Sequence, residues 1–157
     1  MAKAREIPDL AQAQSFRAAA AIAVQVRAEE VFEHAAGVLD TSDIERVHDM
    51  RVATRRLRAV MEIFEPAFPT KQHRAVLKDV KALADALGER RDRDVQIDAM
   101  TKIGLALTAT DRRGIDHLVS ELRDEQGGAN AELAEALQRM EETDLHGRLR
   151  ALTAAVT

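Results

Sequence analysis

The chain has 157 residues, enough to bury one hydrophobic core without help from disulfides or metal, and short for two ordinary domains. Its 46% hydrophobic and 32% charged residues, with only seven glycines and three prolines among long runs of Ala, Leu, Glu and Arg, favour helices, and the absence of cysteine excludes a disulfide framework or a thiolate metal site. The net charge of −4 resolves into −4 over residues 1–45, +5 over 46–93 and −5 over 94–157, so the cations form a local, shaped site rather than a general DNA-coating surface.

The N-terminal stretch MAKAREIPDLAQAQSF lacks the basic-then-apolar pattern of a signal peptide, and no apolar run approaches the roughly 20 residues that a membrane span needs. A cytoplasmic, soluble protein is the expectation. Phe16, Ile22, Val26, Val31 and Leu39 recur at near-helical spacing, which predicts a first helix over about 9–38. Asp40, Thr41, Ser42 and Asp43 form a turn, with Ser42 or Asp43 as cap and Glu45 completing a capping box, and a second helix then runs to about Phe64. Pro66 and Pro69 end it. Thr70 caps a third helix that runs to Leu87 and stops at Gly88, a natural left-handed terminator. The segment GERRDRDV is a loop or helix start, and further helices cover about 94–107, 111–126 and 130–156, the last two separated by Gly127 and Gly128. No β-period alternation stands out. The expected fold is all-α: one domain over residues 1–157, an antiparallel bundle of about six helices on short connections.

Wound at about 100° per residue, the second and third helices each carry a cationic row. His48, Arg51, Arg55 and Arg58 follow the spacing i, i+3, i+7, i+10, and so do Lys71, Arg74, Lys78 and Lys81. Beside the first row lie Met50, Ala53, Leu57, Val60, Met61 and Phe64, and beside the second Val76, Leu77, Val80, Leu83, Ala84 and Leu87. Each helix thus has one apolar and one cationic face, and an antiparallel hairpin sets the two cationic rows side by side. Like charges at i and i+4 destabilise a helix by a few tenths of a kcal/mol per pair, and neither row meets an acid until Glu62 and Asp85 at its end. A design for stability alone would alternate signs. The plainer reading, a solvated face whose arginine stems cover apolar surface, stays open on geometry alone.

The stretch VHDMRVATRRLRAVMEIF, followed some twenty residues later by LKDVKALADALGERRDRDV, resembles the signature of the CHAD domain, the conserved histidine α-helical domain. The first stretch matches its His-x-x-Arg-x-x-x-Arg-Arg-x-Arg pattern at His48, Arg51, Arg55, Arg56 and Arg58. The second matches its Leu-Gly-x-x-Arg-Asp-x-Asp-Val pattern at Leu87, Gly88, Arg91, Asp92, Asp94 and Val95. The resemblance is specific over residues 44–97, loose over the N-terminal helix and only that of generic helix over 98–157. It implies binding of inorganic polyphosphate in a basic channel, and association with polyphosphate granules. Family members commonly carry two helical repeats about a pseudo-twofold axis, whereas this chain shows one motif block, so either half a channel suffices or a homodimer supplies the second half, the latter being the expectation. The seam expected for it is the C-terminal helix, with Leu133, Leu137, Met140, Leu145, Leu149 and Leu152; the rival is a monomer in which that helix folds back over the bundle and completes the core.

The residue types fit that implication. A polyphosphate chain offers about one negative charge per unit and no bases, so its binder needs guanidinium forks and ammonium groups. The candidate ligand set is His48, Arg51, Arg55, Arg56, Arg58, Lys71, Arg74, Lys78, Lys81, Arg90, Arg91 and Arg93, with Asp92 and Asp94 as structural support that caps the fourth helix and holds the arginines. Alternatively these two carboxylates ligate a phosphate-bound Mg²⁺. With no Trp, no Tyr and four Phe, the chain offers little for the base stacking of single-stranded nucleic-acid sites, and net acidity disfavours duplex DNA. No metal site is expected, because the nearest pairing, His48 with Asp49, points to different faces. No cofactor is expected either. There is no glycine-rich phosphate loop and no nucleophile with its base, so binding without turnover is the reading. The alternatives are a metal-binding or phosphohistidine regulatory module centred on His48, and an interaction module whose basic face meets an acidic partner.

Overall fold

The computed structural model describes residues 3–157, and among them it holds five α-helices and no strand: α1 (Phe16–Glu33), α2 (Ile44–Ile63), α3 (Thr70–Leu105), α4 (Ala109–Glu142) and α5 (Leu145–Ala154). Short 3₁₀ turns at Leu10–Gln12 and Glu65–Ala67 lead into α1 and α3. All five helices feed one core, in which Val24 and Val31 meet Val47, Met50, Leu57, Met61, Val76, Val80, Leu83, Leu87, Leu133, Leu149 and Leu152, all at most 3% exposed. The all-α bundle read from the sequence is the architecture found. None of its helices is long and apolar enough to cross a membrane.

The helix boundaries depart from expectation where they rested on local punctuation. α1 begins at Phe16, because Ser15 caps it by accepting from the Ala18 amide at 3.0 Å, while Asp9, left-handed at φ 62°, opens only the 3₁₀ turn Leu10–Gln12. The chain leaves α1 after Glu33 and turns at Gly37, whose φ of 70° favours glycine. The capping box at α2 does not form. Ser42 donates to Asp40 instead, and Asp43 pairs with Arg46 at 3.0 Å.

Two expected breaks are absent. α3 passes through Gly88 without interruption and swallows the GERRDRDV segment, and α4 passes through Gly127 and Gly128. A mid-helix glycine costs about 1 kcal/mol relative to alanine, a local cost that the packing of a helix this long overrides. Leu87 and Arg90 flank Gly88 and are fully buried, and Gln126 and Ala129 flank the glycine pair and are buried too, so both segments are held from each side. The true break falls at Thr143–Asp144, where Asp144 takes a left-handed φ of 49° and accepts from the Gly147 amide at 3.1 Å to start α5. The expected helix over 130–156 is therefore two helices.

A Cβ built on Gly127 or Gly128 meets no atom within 4 Å, and neither residue has positive φ. Only propensity is at stake there. Gly127→Ala and Gly128→Ala are expected to stabilise the fold by about 1 kcal/mol each, read as a higher urea midpoint with an unchanged slope.

α5 folds back across α1 and α3. Its Leu145, Leu149 and Leu152, with Leu133 and Met140 of α4, are buried within the chain itself. These residues close the core in cis, so the C-terminal helix is not the dimer seam expected from its leucines.

Candidate anion-binding groove

α2 and α3 run antiparallel, and a trough along their junction gathers most of the expected site residues. At its centre a depression is walled by Arg51, Arg55 and Arg58 of α2 and by Asp85, Glu89 and Asp92 of α3, over a floor of Ala84 and Gly88. Toward the start of α2 it continues into a second depression lined by His48, Arg51, Arg91, Asp92, Arg93, Val95 and Gln96. Toward the start of α3 it continues into a third, lined by Arg74, Leu77, Lys78, Lys81, Ala82 and Asp85. Arg51 and Asp92 border the first two, and Asp85 borders the first and third, so the three adjoin, the third lying on α3 alone.

Gly88 has a role here that its reading as a terminator missed. A Cβ added to it would lie 3.9 Å from Arg51 Nε, so the glycine keeps the groove floor low beneath that guanidinium. A longer side chain at this position would project into the depression.

Pairing within the groove is sparse. Among the described residues, Arg51, Arg55, Arg74 and Lys78 have no hydrogen-bond or ion-pair partner, and on the opposite wall neither do Asp85 and Asp92. No ion pair joins the cations of the central depression to the carboxylates that face them. Arg58 and Lys81 are engaged, by Glu62 at 3.0 and 3.5 Å. The Glu62 carboxyl is held below its ordinary range, first by its hydrogen bond with Arg58 and then by the nearby Lys81. Arg93 pairs with Glu89 at 2.9 Å, and Arg91 lies 3.8 Å from Glu45 while donating to the Ile44 carbonyl at 3.3 Å. His48 is part-buried, and its Nδ1 is shielded from solvent without a partner among the described residues.

Three expected ligands lie elsewhere. Lys71 is exposed on the first turn of α3 and lines none of these depressions. Arg56 is half-buried, engaged within the chain and outside the groove lining. Arg90 is 0% exposed and cannot meet an external ligand. Its Nε donates to Asp94 Oδ1 at 2.8 Å and its Nη1 to Asn130 Oδ1 at 2.5 Å; Gln126 donates to the same Asp94 oxygen at 2.7 Å, and Asn130 donates to the Leu39 carbonyl at 3.1 Å. The cluster ties α3 to α4 and to the α1–α2 connection. Asp94 is accordingly a buried counter-charge and not a helix cap, because α3 has no new start there, while Asp92 is an exposed groove residue.

The carboxylate wall is what the sequence reading missed. With α3 ended at Gly88, Asp85, Glu89 and Asp92 fell in different segments; in one continuous helix their spacing of i, i+4, i+7 puts them on one line. The expected divergence of His48 and Asp49 is also corrected. Glu45, His48 and Asp49 bring one ligand atom each within 4.8 Å of one another, an arrangement that could hold a cation, with Asp49 also engaged within the chain.

Comparison with known proteins extends what residues 44–97 suggested. The CHAD domain family model matches residues 22–156, taking in the C-terminal helices that had looked generic. An uncharacterized protein of Mycobacterium tuberculosis is 31% identical over 106 residues, which cover 68% of this chain and 18% of the relative. The chain thus spans less than a fifth of that relative's length. No solved structure matches. With the groove motifs in order and nearly the whole bundle matched, the chain belongs to the CHAD domain family.

Proposed function

We propose that the α2–α3 groove binds inorganic polyphosphate without turning it over. The observation that carries this reading is a run of adjoining depressions in which Arg51, Arg55, Arg74 and Lys78 have no partner among the described residues although carboxylates stand nearby. Unpaired guanidinium and ammonium groups along a trough suit a linear polyanion, arginine by its fork and lysine as a point charge. Among the described residues no phenylalanine lines the groove: Phe16 packs on Phe64, Phe32 on His146 and Phe68 on His73, which leaves the His48 imidazole as the one ring along it, fewer than a row of stacked bases would use.

The proposal includes a cytoplasmic protein associated with polyphosphate granules, and a homodimer in which two grooves enclose one polymer. Since the C-terminal leucines are used within the chain, the pairing would run through another surface. A polyphosphate titration with nucleic acid as competitor tests the ligand, and light scattering on the same sample reads the mass. Polyphosphate is expected to bind in preference to the nucleic acid. Counting the four unpartnered cations, the logarithm of affinity should fall with the logarithm of salt at a slope of about −3, taking about −0.7 per neutralised charge. A salt-insensitive complex would contradict the assignment.

The convergence of Glu45, His48 and Asp49 supports a second reading, a metal-binding module at the His48 end of the groove. Metal analysis of the purified protein, with His48→Ala as reference, separates it from the first.

A further inference from the structure

Glu62 stands where the two cationic rows meet. Its Oε1 accepts from Arg58 Nε at 3.0 Å and lies 3.5 Å from Lys81 Nζ. Arg58 lines the central depression and Lys81 the adjoining one, so a single carboxylate occupies one cation of each. To either side stand cations that have no partner among the described residues, Arg51 and Arg55 along α2, Arg74 and Lys78 along α3. With its carboxyl held below the ordinary range by Arg58, Glu62 is ionised at neutral pH and competes there for both cations.

We propose that Glu62 is an internal competitor that makes the groove selective for long polyanions over short ones. The inference rests on the polyphosphate reading and deepens it. A short anion lies within one depression, and to use Arg58 or Lys81 it must displace the carboxylate by its own contacts alone. A chain long enough to cover both depressions is already held by free cations on each side. Its middle phosphates are then delivered to Arg58 and Lys81 at a high effective concentration, and displacement becomes an intramolecular step. Asp85 also borders both depressions, but it holds no cation among the described residues, so it repels short and long anions alike.

The test compares tripolyphosphate with a long-chain polyphosphate on the wild-type chain and on Glu62→Gln, which keeps the shape and removes the charge. Glu121→Gln, on α4 and outside the groove lining, with His117 as its partner among the described residues, is the control for net charge. Glu62→Gln is expected to tighten tripolyphosphate by about threefold or more, the order that two half-exposed ion pairs represent. It should tighten the long chain by less, so the long-to-short preference falls, while the salt slope for tripolyphosphate steepens by about 0.7 for each cation released. Equal gains for both ligands, the same gains in Glu121→Gln, or a loss of affinity would overturn the proposal. A wild-type chain that binds neither ligand removes the polyphosphate reading itself, whereas one that binds both with a preference unmoved by Glu62→Gln removes only the role of Glu62.

Discussion

Replacing Arg90 with alanine is expected to cost about 3–5 kcal/mol of folding stability, read from chemical denaturation of the purified variant. The substitution strips the Asp94 carboxyl, 1% exposed, of its counter-charge and leaves Gln126 as its remaining donor. It also strips Asn130 of its bond to the guanidinium, loosening α4 and the connection that Asn130 holds through the Leu39 carbonyl. Against a typical total of about 5–15 kcal/mol, a loss of this size unfolds a large share of the protein at physiological temperature. The double variant Arg90→Met, Asp94→Leu separates charge from packing. Removing both charges together should restore most of the stability, because the cost lies in the uncompensated ion and not in the volume. A single variant as stable as wild type would show that Asp94 finds another partner.

Neutralising Arg51, Arg55 and Arg58 together is expected to weaken polyphosphate binding by at least about a hundredfold while the helical circular dichroism signal is kept. Hydrogen bonds to charged groups contribute about 1.5–3 kcal/mol each, and the two unpartnered arginines alone account for a loss of that order. Stability should move by no more than about 0.5 kcal/mol, since Arg51 and Arg55 hold nothing in the fold and Arg58 gives up only a half-exposed pair with Glu62. The contrast with Arg90 is the diagnostic. Loss of helical signal in the triple variant would make the row structural and leave the groove without its ligand wall.

The all-α architecture follows from periodicity, because apolar residues at i, i+3 and i+4 must be buried together and charged ones cannot join them. The bounds of α2 and the start of α3 come instead from the turn at 40–43 and from Pro66 and Pro69, although neither the capping box nor a Thr70 cap forms. Helix ends were less accessible. Gly88, Gly127 and Gly128 carry the local signature of a stop, yet each costs only about 1 kcal/mol, and burial of Leu87, Arg90, Gln126 and Ala129 on either side outweighs it. Asp144 carried a signal that went unused: a capping residue three positions before Gly147, whose amide it accepts.

The same error propagated into the site. The α2 row His48, Arg51, Arg55 and Arg58 was visible because its helix was bounded correctly, and three of its members line the central depression. Arg90, Arg91 and Arg93 look alike in a segment read as a loop. On a continuous helix Leu83, Leu87, Arg90, Asp94 and Ile97 share one stripe, and all five are buried. Arg90 is therefore a core residue with a core counter-charge, a distinction that depends wholly on whether Gly88 ends the helix.

The unpaired state of Arg51, Arg55, Arg74 and Lys78 also has an entropic side. A free arginine or lysine side chain holds about 2 kcal/mol of rotamer freedom. A ligand that presents a single fixed constellation of acceptors must freeze all four side chains in one arrangement. A polymer of identical units imposes no such demand, because a shift by one unit offers the same oxygens to the same cations and counts as another bound state. The bound ensemble then keeps part of the side-chain disorder and gains a choice of registers along the polymer. If the groove holds polyphosphate as proposed, such a complex would move from one register to the next by exchanging one contact at a time, and a bound chain would slide without being fully released.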